Sequence, residues 1–240
     1  MRADAVIVSC EHAGARVPAR FVHAFAGKSR LLASHRAFDR GALALANALA
    51  RRLRVGVIAY PYTRLLIDPN RSEHHRALYS EITRRLSRED RQTLLERYYR
   101  PHRARVFDAV EKAVGSGARV VHLAAHSFTP RLDGDIRNAD VAFLYDPRRR
   151  PERKLVAMWC ANLAIDSALM NASLRVRRNY PYRGVADGLT TALRRRFAAR
   201  DYLGIEVEMN QVLMCSRARH RRVVEALAAT AAETILGAAG

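Results

Sequence analysis

The sequence has few cysteines and no long hydrophobic run. Its three cysteines form no Cys-x-x-Cys motif, so neither a zinc knuckle nor a redox pair is indicated. No apolar stretch approaches the roughly 20 residues that a helix needs to cross a bilayer, and the N-terminus has neither the apolar core nor the cleavage site of a signal peptide. These absences predict a cytoplasmic protein with reduced cysteines and no membrane partner.

Several common catalytic motifs are also missing from the chain. It has no Gly-x-Ser-x-Gly nucleophile elbow, no phosphate-binding P-loop and no Gly-x-Gly-x-x-Gly turn. These absences argue against an elbow-type serine hydrolase, a P-loop enzyme and a dinucleotide-dependent enzyme.

Acidic residues are scarce relative to basic ones. The chain has 23 aspartates and glutamates against 42 lysines and arginines, which gives a net charge of +19. The basic residues, nearly all arginine, are scattered along the whole chain, and aromatic residues do not alternate with them as they do on a surface that stacks bases. The charge therefore fits a small anionic substrate better than nucleic acid.

Short apolar runs alternate with longer amphipathic stretches, and 49% of the residues are hydrophobic. This pattern predicts a single three-layer α/β domain over residues 1–240. The predicted strands are residues 5–10, 55–60, 65–67, 120–125, 139–145, 174–178 and 204–207. The predicted helices are residues 40–53, 87–114, 151–169, 188–199 and 217–236, and Pro101 should kink or split the second of them. Residues 131–138 are predicted to form a loop.

Two histidines follow predicted strands at distant points of the chain. His12 comes after the strand at 5–10, and His126 comes after the strand at 120–125. Because ligands of open α/β sheets bind at the carboxyl edge of the strands, we expect both imidazoles in one cleft. To share a metal, the rings must lie within about 8 Å of each other. His122, on the same side of its strand, is expected to be buried and structural.

Two imidazoles need a carboxylate to complete a catalytic zinc site, which usually has three protein ligands. Asp39 is the main candidate, although it precedes a predicted helix and could instead be its N-cap. Glu11 could also be the third ligand, or it could orient the ring of His12. The pattern predicts one Zn²⁺ ion held by His12, His126 and a carboxylate.

Glu206 and Glu208 are placed on one face of the last predicted strand by its alternation. Burying two carboxylates is costly without a purpose, and a glutamate beside a metal-activated water is an effective general base. One of the pair is therefore a candidate base, and Glu208 is nearer the strand end. A solvated edge strand is the alternative interpretation.

Arg64, Asn70 and Arg71 lie in one polar turn. Guanidinium groups can bind a carboxylate or a developing oxyanion through a planar pair of donors, and the amide of Asn70 adds neutral hydrogen bonds. Asp68 could pair with either arginine and hold the turn. Taken alone, the segment is a turn with surface arginines.

A second turn, at residues 179–184, contains two tyrosines and a proline. Rigid aromatic loops of this kind often line pockets, so Asn179 and Tyr182 are candidate substrate-binding residues. A plain turn is the alternative interpretation.

Together these segments resemble the N-formylglutamate amidohydrolase family over roughly residues 5–215. The resemblance implies a phosphorylase/hydrolase-like fold, with a mixed central sheet between helices, and a zinc-dependent hydrolase that releases formate and glutamate from N-formylglutamate. The matching motifs, in order, are Cys10-Glu11-His12-Ala13-Gly14, Asp39-Arg40-Gly41-Ala42, Arg64-Leu65-Leu66-Ile67-Asp68-Pro69-Asn70-Arg71, Ala125-His126-Ser127, Asn179-Tyr180-Pro181-Tyr182-Arg183-Gly184 and Glu206-Val207-Glu208-Met209-Asn210.

The resemblance also implies a role for each matching polar residue. These roles are metal ligation by His12, Asp39 and His126, base catalysis by Glu208, assistance at the carbonyl oxygen by Arg64, and binding of the substrate's α-carboxylate by Asn70 and Arg71.

Two other functions are compatible with the sequence. One is a metallo-carboxypeptidase or amidase that acts on peptides or cell-wall fragments, which should have an open groove where a small-substrate enzyme has a closed pocket. The other is a basic protein that binds nucleic acid or anions without catalysis. The preferred partner is a small anionic N-acyl amino acid.

Overall fold

The structure, a computed structural model of the protein, describes residues 4–169 and 174–237. The domain predicted over residues 1–240 therefore includes short stretches that lie outside the described residues. Within the described ranges, every helix is too short or too polar to cross a lipid bilayer.

The strands of the described residues, in chain order, are β1 Ala5–Cys10, β2 Val57–Ala59, β3 Val120–Phe128, β4 Arg131–Leu132, β5 Asp135–Ile136, β6 Val141–Leu144, β7 Val176–Arg178 and β8 Tyr202–Asn210. Six of these strands form one mixed sheet, with the spatial order β2-β1-β3-β8-β6-β7, and the other two form a small hairpin. Neighbours in the sheet are parallel except β6 and β8, which are antiparallel.

Helices cover both faces of this sheet. The α-helices are α1 Ser29–Leu32, α2 Ala42–Leu53, α3 Arg88–Leu94, α4 Arg100–Gly115, α5 Arg150–Leu169, α6 Leu189–Arg196 and α7 Arg217–Leu236. Short 3-10 helices occur at Ala19–Phe25, Thr83–Arg85 and Gln211–Cys215. The predicted three-layer α/β fold with a mixed central sheet is confirmed.

The alternation of β3 and β8 assigns each side chain to one layer. Leu123 and Val207 share a buried core with α2, α5 and α7. Val120 and Tyr202 belong to a second core with α4 and α6. Because side chains alternate along a strand, His126 and the two glutamates of β8 are on the α4–α6 side of the sheet.

β3 and β8 extend further than the sequence pattern indicated. Their parallel register is continuous from Val120 paired with Tyr202 to Phe128 paired with Asn210. His126 and Glu208 therefore lie within strands, where the sequence placed them just beyond. Pairing with a neighbouring strand keeps the backbone extended through polar residues at which the apolar run stops.

The prediction of a strand at residues 65–67 is wrong. This segment forms a turn, in which the amide of Leu66 donates to the carbonyl oxygen of Thr63. The hydroxyl of Thr63 accepts from the amide of Leu65 and donates to the carbonyl oxygen of Ala37. Leu65, Leu66 and Ile67 are buried in a local hydrophobic cluster, so their apolar character reflects packing and not strand pairing.

The long helix predicted at residues 87–114 is interrupted. A π-helical turn at Leu95–Tyr99 separates α3 from α4, and Pro101 lies in the first turn of α4. The break agrees with the prediction, because proline lacks the amide that would continue the upstream helix.

Residues 131–138, predicted as a loop, contain the β4–β5 hairpin. Asp133 and Gly134 connect the two strands, with φ values of 52° and 89°. Positive φ at both central residues is the conformation that two-residue hairpin turns require. The remaining predicted elements are confirmed to within about three residues at each end.

A buried ion pair between Glu152 of α5 and Arg194 of α6 connects these two helices to β8. Glu152 is completely buried, and Arg194 donates to its carboxylate at 3.0 Å. Arg194 also donates to the carbonyl oxygens of Gly184 and Gly204. This pair therefore fixes the loop that ends at Gly184 against β8.

His122 is buried in the middle of β3, as predicted. Its Nε2 lies 2.7 Å from the hydroxyl oxygen of Ser9, and its Nδ1 lies 2.8 Å from the hydroxyl oxygen of Tyr202. Burial lowers the pKa of His122 to about 4, so the folded protein keeps this ring neutral well below the ordinary histidine pKa.

We expect His122 to make folding less favourable in mild acid. As the pH falls below about 6.5, the unfolded chain takes up a proton at this ring, whereas the folded chain does not until about pH 4. The free energy of unfolding should therefore fall by up to about 3 kcal/mol over that interval. Urea unfolding between pH 7 and pH 4 should show a smaller decline for His122→Gln than for the wild type. Equal declines would contradict this assignment.

Candidate active site

The candidate site lies at the carboxyl ends of β1, β3 and β8. His12 follows β1 directly, in a turn, and His126 lies near the end of β3. Their ring centroids are 5.1 Å apart, inside the limit of about 8 Å that a shared metal requires. Gly14 allows the tight exit from β1, because a Cβ there would collide with the carbonyl oxygen of Pro61.

Asp39 is the carboxylate at which the two histidines meet. Its Oδ2 lies 3.2 Å from Nδ1 of His12 and 3.1 Å from Nδ1 of His126. Oδ2 also accepts from the amide of Ser127, and Oδ1 accepts from Arg64. Although burial alone would raise it, His12, His126 and Arg64 hold the pKa of Asp39 well below its usual range.

The alternative role of Asp39 as a helix N-cap is not seen. Gly41 is the residue before α2, and no side chain caps that helix end. The carboxylate of Asp39 turns to the histidines instead. A positive φ of 78° at Gly41 makes the turn between Asp39 and α2 possible.

Asp68, which the sequence predicts only to hold the polar turn, also contacts a histidine of the site. Its Oδ1 lies 2.7 Å from Nε2 of His12, on the side of the ring opposite Asp39. Arg64 donates to Oδ2 at 2.8 Å, and the amide of Asn70 donates to Oδ1. The expected pairing with Arg64 is present, but the contact with His12 depends on tertiary structure and has no local sequence signal.

Glu11 points away from Asp39 and towards the far side of His126. Its Oε2 lies 3.1 Å from Nε2 of His126, and its Oε1 lies 3.8 Å from Nε2 of His102. Burial would raise its pKa, but His102 and His126 hold the pKa of Glu11 well below its usual range. Burial would lower the pKa of His126, but Asp39 and Glu11 hold that pKa well above its ordinary value.

The group of His12, Asp39 and His126 could bind a metal ion. All three are buried, and one ligand atom from each lies within 4.8 Å of the others. The two Nδ1–Oδ2 separations are 3.2 and 3.1 Å, close to the edge of about 3.3 Å in a tetrahedral zinc site with bonds near 2.0 Å. Two imidazoles and a carboxylate are a donor set that zinc accepts. Glu11 does not belong to this group.

Glu208 and Glu206 both face the same cavity, but their surroundings differ. Glu208 is paired in register with His126, is buried, and has no hydrogen-bond partner at Oε2 among the described residues. Burial raises the pKa of Glu208 to about 8. The Oε1 of Glu206 accepts from Thr190 at 2.6 Å. Of the two candidate bases, Glu208 is the more deeply buried, and it is the one with a buried oxygen that lacks a partner.

Asn70 and Arg71 border the cavity beside Asp68. Oδ1 of Asn70 accepts from the amide of Leu189, which leaves the Nδ2 donors for a ligand. Arg71 donates from Nη1 to the carbonyl oxygen of Asp187, and its side chain remains one-third exposed. Both therefore retain donors in reach of an anion.

Tyr182 and Asn179 have different positions in the second turn. Tyr182 lines the cavity, and its hydroxyl accepts from Arg137, whose guanidinium lies 4.9 Å from the ring centroid. Oδ1 of Asn179 accepts from the amides of Tyr145 and Gly184. Asn179 thus holds the turn together and is not among the residues that line the cavity.

The cavity between these elements has a volume of about 140 Å³. It is partly open to solvent, and most of its polar lining residues are charged. The residues that line it are His12, Asp39, Arg64, Asn70, Arg71, His126, Ser127, Leu144, Tyr182, Arg183, Ala186, Asp187, Glu206 and Glu208.

Two solved structures share this fold. The gene product Atu2144 from Agrobacterium tumefaciens is 26% identical, with a TM-score of 0.77 over 97% of this chain and 91% of that one. The N-formylglutamate amidohydrolase from Ralstonia eutropha JMP134 is 21% identical, with a TM-score of 0.70 over 98% of this chain and 95% of that one. No curated protein sequence matches this chain.

The sequence profile of one protein family matches residues 4–215 of the chain, and its description is N-formylglutamate amidohydrolase. The match includes all the residues of the candidate site and agrees with the resemblance drawn from the six motifs. The chain therefore belongs to the N-formylglutamate amidohydrolase family, a family of amide hydrolases.

Proposed function

We propose that this protein is a zinc-dependent amidohydrolase that cleaves the amide of an N-acyl amino acid, with N-formylglutamate as the preferred substrate. The observation that carries the proposal is the convergence of Nδ1 of His12, Nδ1 of His126 and Oδ2 of Asp39 beside an uncommitted oxygen of Glu208. The products are the free amino acid and the carboxylic acid of the acyl group, which is formate for the preferred substrate.

His12, Asp39 and His126 would hold the zinc ion. When bound, zinc supplies a Lewis acid that activates water and stabilises negative charge on the carbonyl oxygen. Arg64, which donates to both Asp39 and Asp68, lines the same cavity and adds a positive charge near that oxygen.

Glu208 is the proposed base. It accepts a proton from the attacking water as the new carbon–oxygen bond forms, and it delivers that proton to the amide nitrogen as the carbon–nitrogen bond breaks. Its position supports this role, because it is the register partner of His126 and lines the cavity.

The hydrogen-bond donors of the cavity favour a small anionic substrate. Asn70 and Arg71 present donors that can bind the α-carboxylate, and Tyr182 and Arg183 of the 179–184 turn line the same cavity. A volume of about 140 Å³ matches a single N-acyl amino acid more closely than an extended peptide. Both considerations favour N-formylglutamate over peptides or cell-wall fragments.

The first prediction concerns metal binding. Zinc-reconstituted wild-type protein should retain a single ion per chain, because the three ligand atoms are already preorganised. His12→Ala and His126→Ala should each lose it. His122→Gln is the matched control, since this buried histidine lies outside the site, and it should retain the ion. Metal-free wild-type protein that binds DNA with a steep salt dependence would support the basic binding module instead.

The second prediction separates the two candidate bases. Glu208→Gln should keep its metal content and lose turnover by about 10²–10⁴-fold, because the carboxamide cannot accept the proton. Glu206→Gln should lose much less, since Oε1 of Glu206 accepts from Thr190 and its register partner in β3 is Ala124 and not His126. Steady-state kinetics and metal analysis of both variants provide the measurement. Full turnover in Glu208→Gln would eliminate it as the base.

The third prediction concerns the α-carboxylate. Arg71→Ala should lower kcat/KM for N-formylglutamate by about 10–100-fold, because a hydrogen bond to a charged group contributes about 1.5–3 kcal/mol. The loss should disappear with a substrate whose α-carboxylate is converted to an amide. An amine-release assay measures both substrates. An equal loss with the amidated substrate would mean that Arg71 does not bind this group.

A further inference from the structure

Glu11 is a fully buried carboxylate directly behind one of the candidate metal ligands. Its Oε2 is 3.1 Å from Nε2 of His126, close enough for a hydrogen bond, although the N–H direction is not fully aligned. Its Oε1 lies 3.8 Å from Nε2 of His102 on α4. Among the described residues, no other side chain pairs with either oxygen. A buried carboxylate without partners is costly, so these two rings are the groups that can compensate it.

Asp68 has the same position behind the ring of His12, and it makes a well-formed hydrogen bond with that ring. Its Oδ1 accepts from Nε2 of His12 at 2.7 Å, while Nδ1 of that ring faces Asp39. Each ring therefore has Asp39 on its Nδ1 side and a second buried carboxylate on its Nε2 side. The two imidazoles differ in which residue provides that second carboxylate and in how well the N–H is aligned with it.

The position of the ring proton follows from the chemistry of the acceptors. An ionised carboxylate only accepts hydrogen bonds, and a neutral imidazole carries one N–H. Oδ2 of Asp39 faces Nδ1 of both rings and also accepts from the amide of Ser127. Two ring nitrogens and one amide therefore compete for the same oxygen. Glu11 has no such competition. When the ring of His126 is neutral, its proton is therefore better placed on Nε2, which leaves the Nδ1 lone pair for a metal.

We propose that Glu11 is a positioning residue for His126. It accepts from Nε2 and fixes the ring in the tautomer whose Nδ1 can ligate a metal, and its other oxygen lies 3.8 Å from Nε2 of His102 on α4. Removal of a carboxylate that accepts from a metal-bound histidine typically weakens metal binding by about 10–100-fold. The identity of the bound ion rests on the proposed function, but the tautomer does not.

The test uses ¹⁵N NMR of the histidine rings at alkaline pH in the metal-free protein, followed by zinc titration against a competing chelator. His126 of the wild type should carry its proton on Nε2. Glu11→Gln should shift the proton towards Nδ1, because the carboxamide can donate as well as accept, and it should weaken zinc binding by about 10–100-fold. Glu152→Gln, which alters an equally buried glutamate paired with Arg194, should change neither property.

Two results would overturn the inference. One is a wild-type His126 that carries its proton on Nδ1, a measurement that needs no variant to fold. The other is a folded Glu11→Gln protein with the wild-type tautomer and zinc affinity. A wild-type protein that shows the Nε2–H tautomer but binds no zinc supports the role of Glu11 and contradicts the proposed function alone.

Discussion

Asp39 is the residue on which the arrangement of the site depends. Its amide donates to the carbonyl oxygen of His12, and its Oδ2 accepts from the amide of Ser127. Asp39 thereby connects the backbone after β1, the end of β3 and the segment before α2. The same oxygen faces both imidazoles, so their separation is set by contacts that are independent of any bound ion. Such preorganisation limits the rearrangement that metal binding would require.

The sheet provides the second constraint. β1, β3 and β8 are parallel neighbours with continuous registers, so their carboxyl ends lie at one edge. Alternation then separates two tasks within the same strands: Leu123 and Val207 fill the core on one side, while His126 and Glu208 face the cavity on the other. A slip of one residue in β8 would exchange these faces and bury Glu208 among hydrophobic side chains.

The sequence was informative where the signal is local and uninformative where it depends on tertiary contacts. Strand ends placed His12 and His126 together, because parallel strands share an edge. The apolar run at residues 65–67 was misassigned, because burial in a side cluster and burial in a sheet produce the same pattern. The contact of Asp68 with His12 joins residues 56 positions apart, and no spacing rule predicts it. Asn179 lies in the expected turn, but its side chain stabilises the loop.

The last helix lies outside the family match but belongs to the folded core. The family match ends at residue 215, and α7 begins at Arg217. Leu227 of α7 is nevertheless fully buried in the same core as α2, and Thr230 accepts a hydrogen bond from Trp159 of α5. A fragment cut at the family boundary would contain every residue of the candidate site and still leave part of one side of the sheet uncovered. The candidate site and the complete core therefore need stretches of different length.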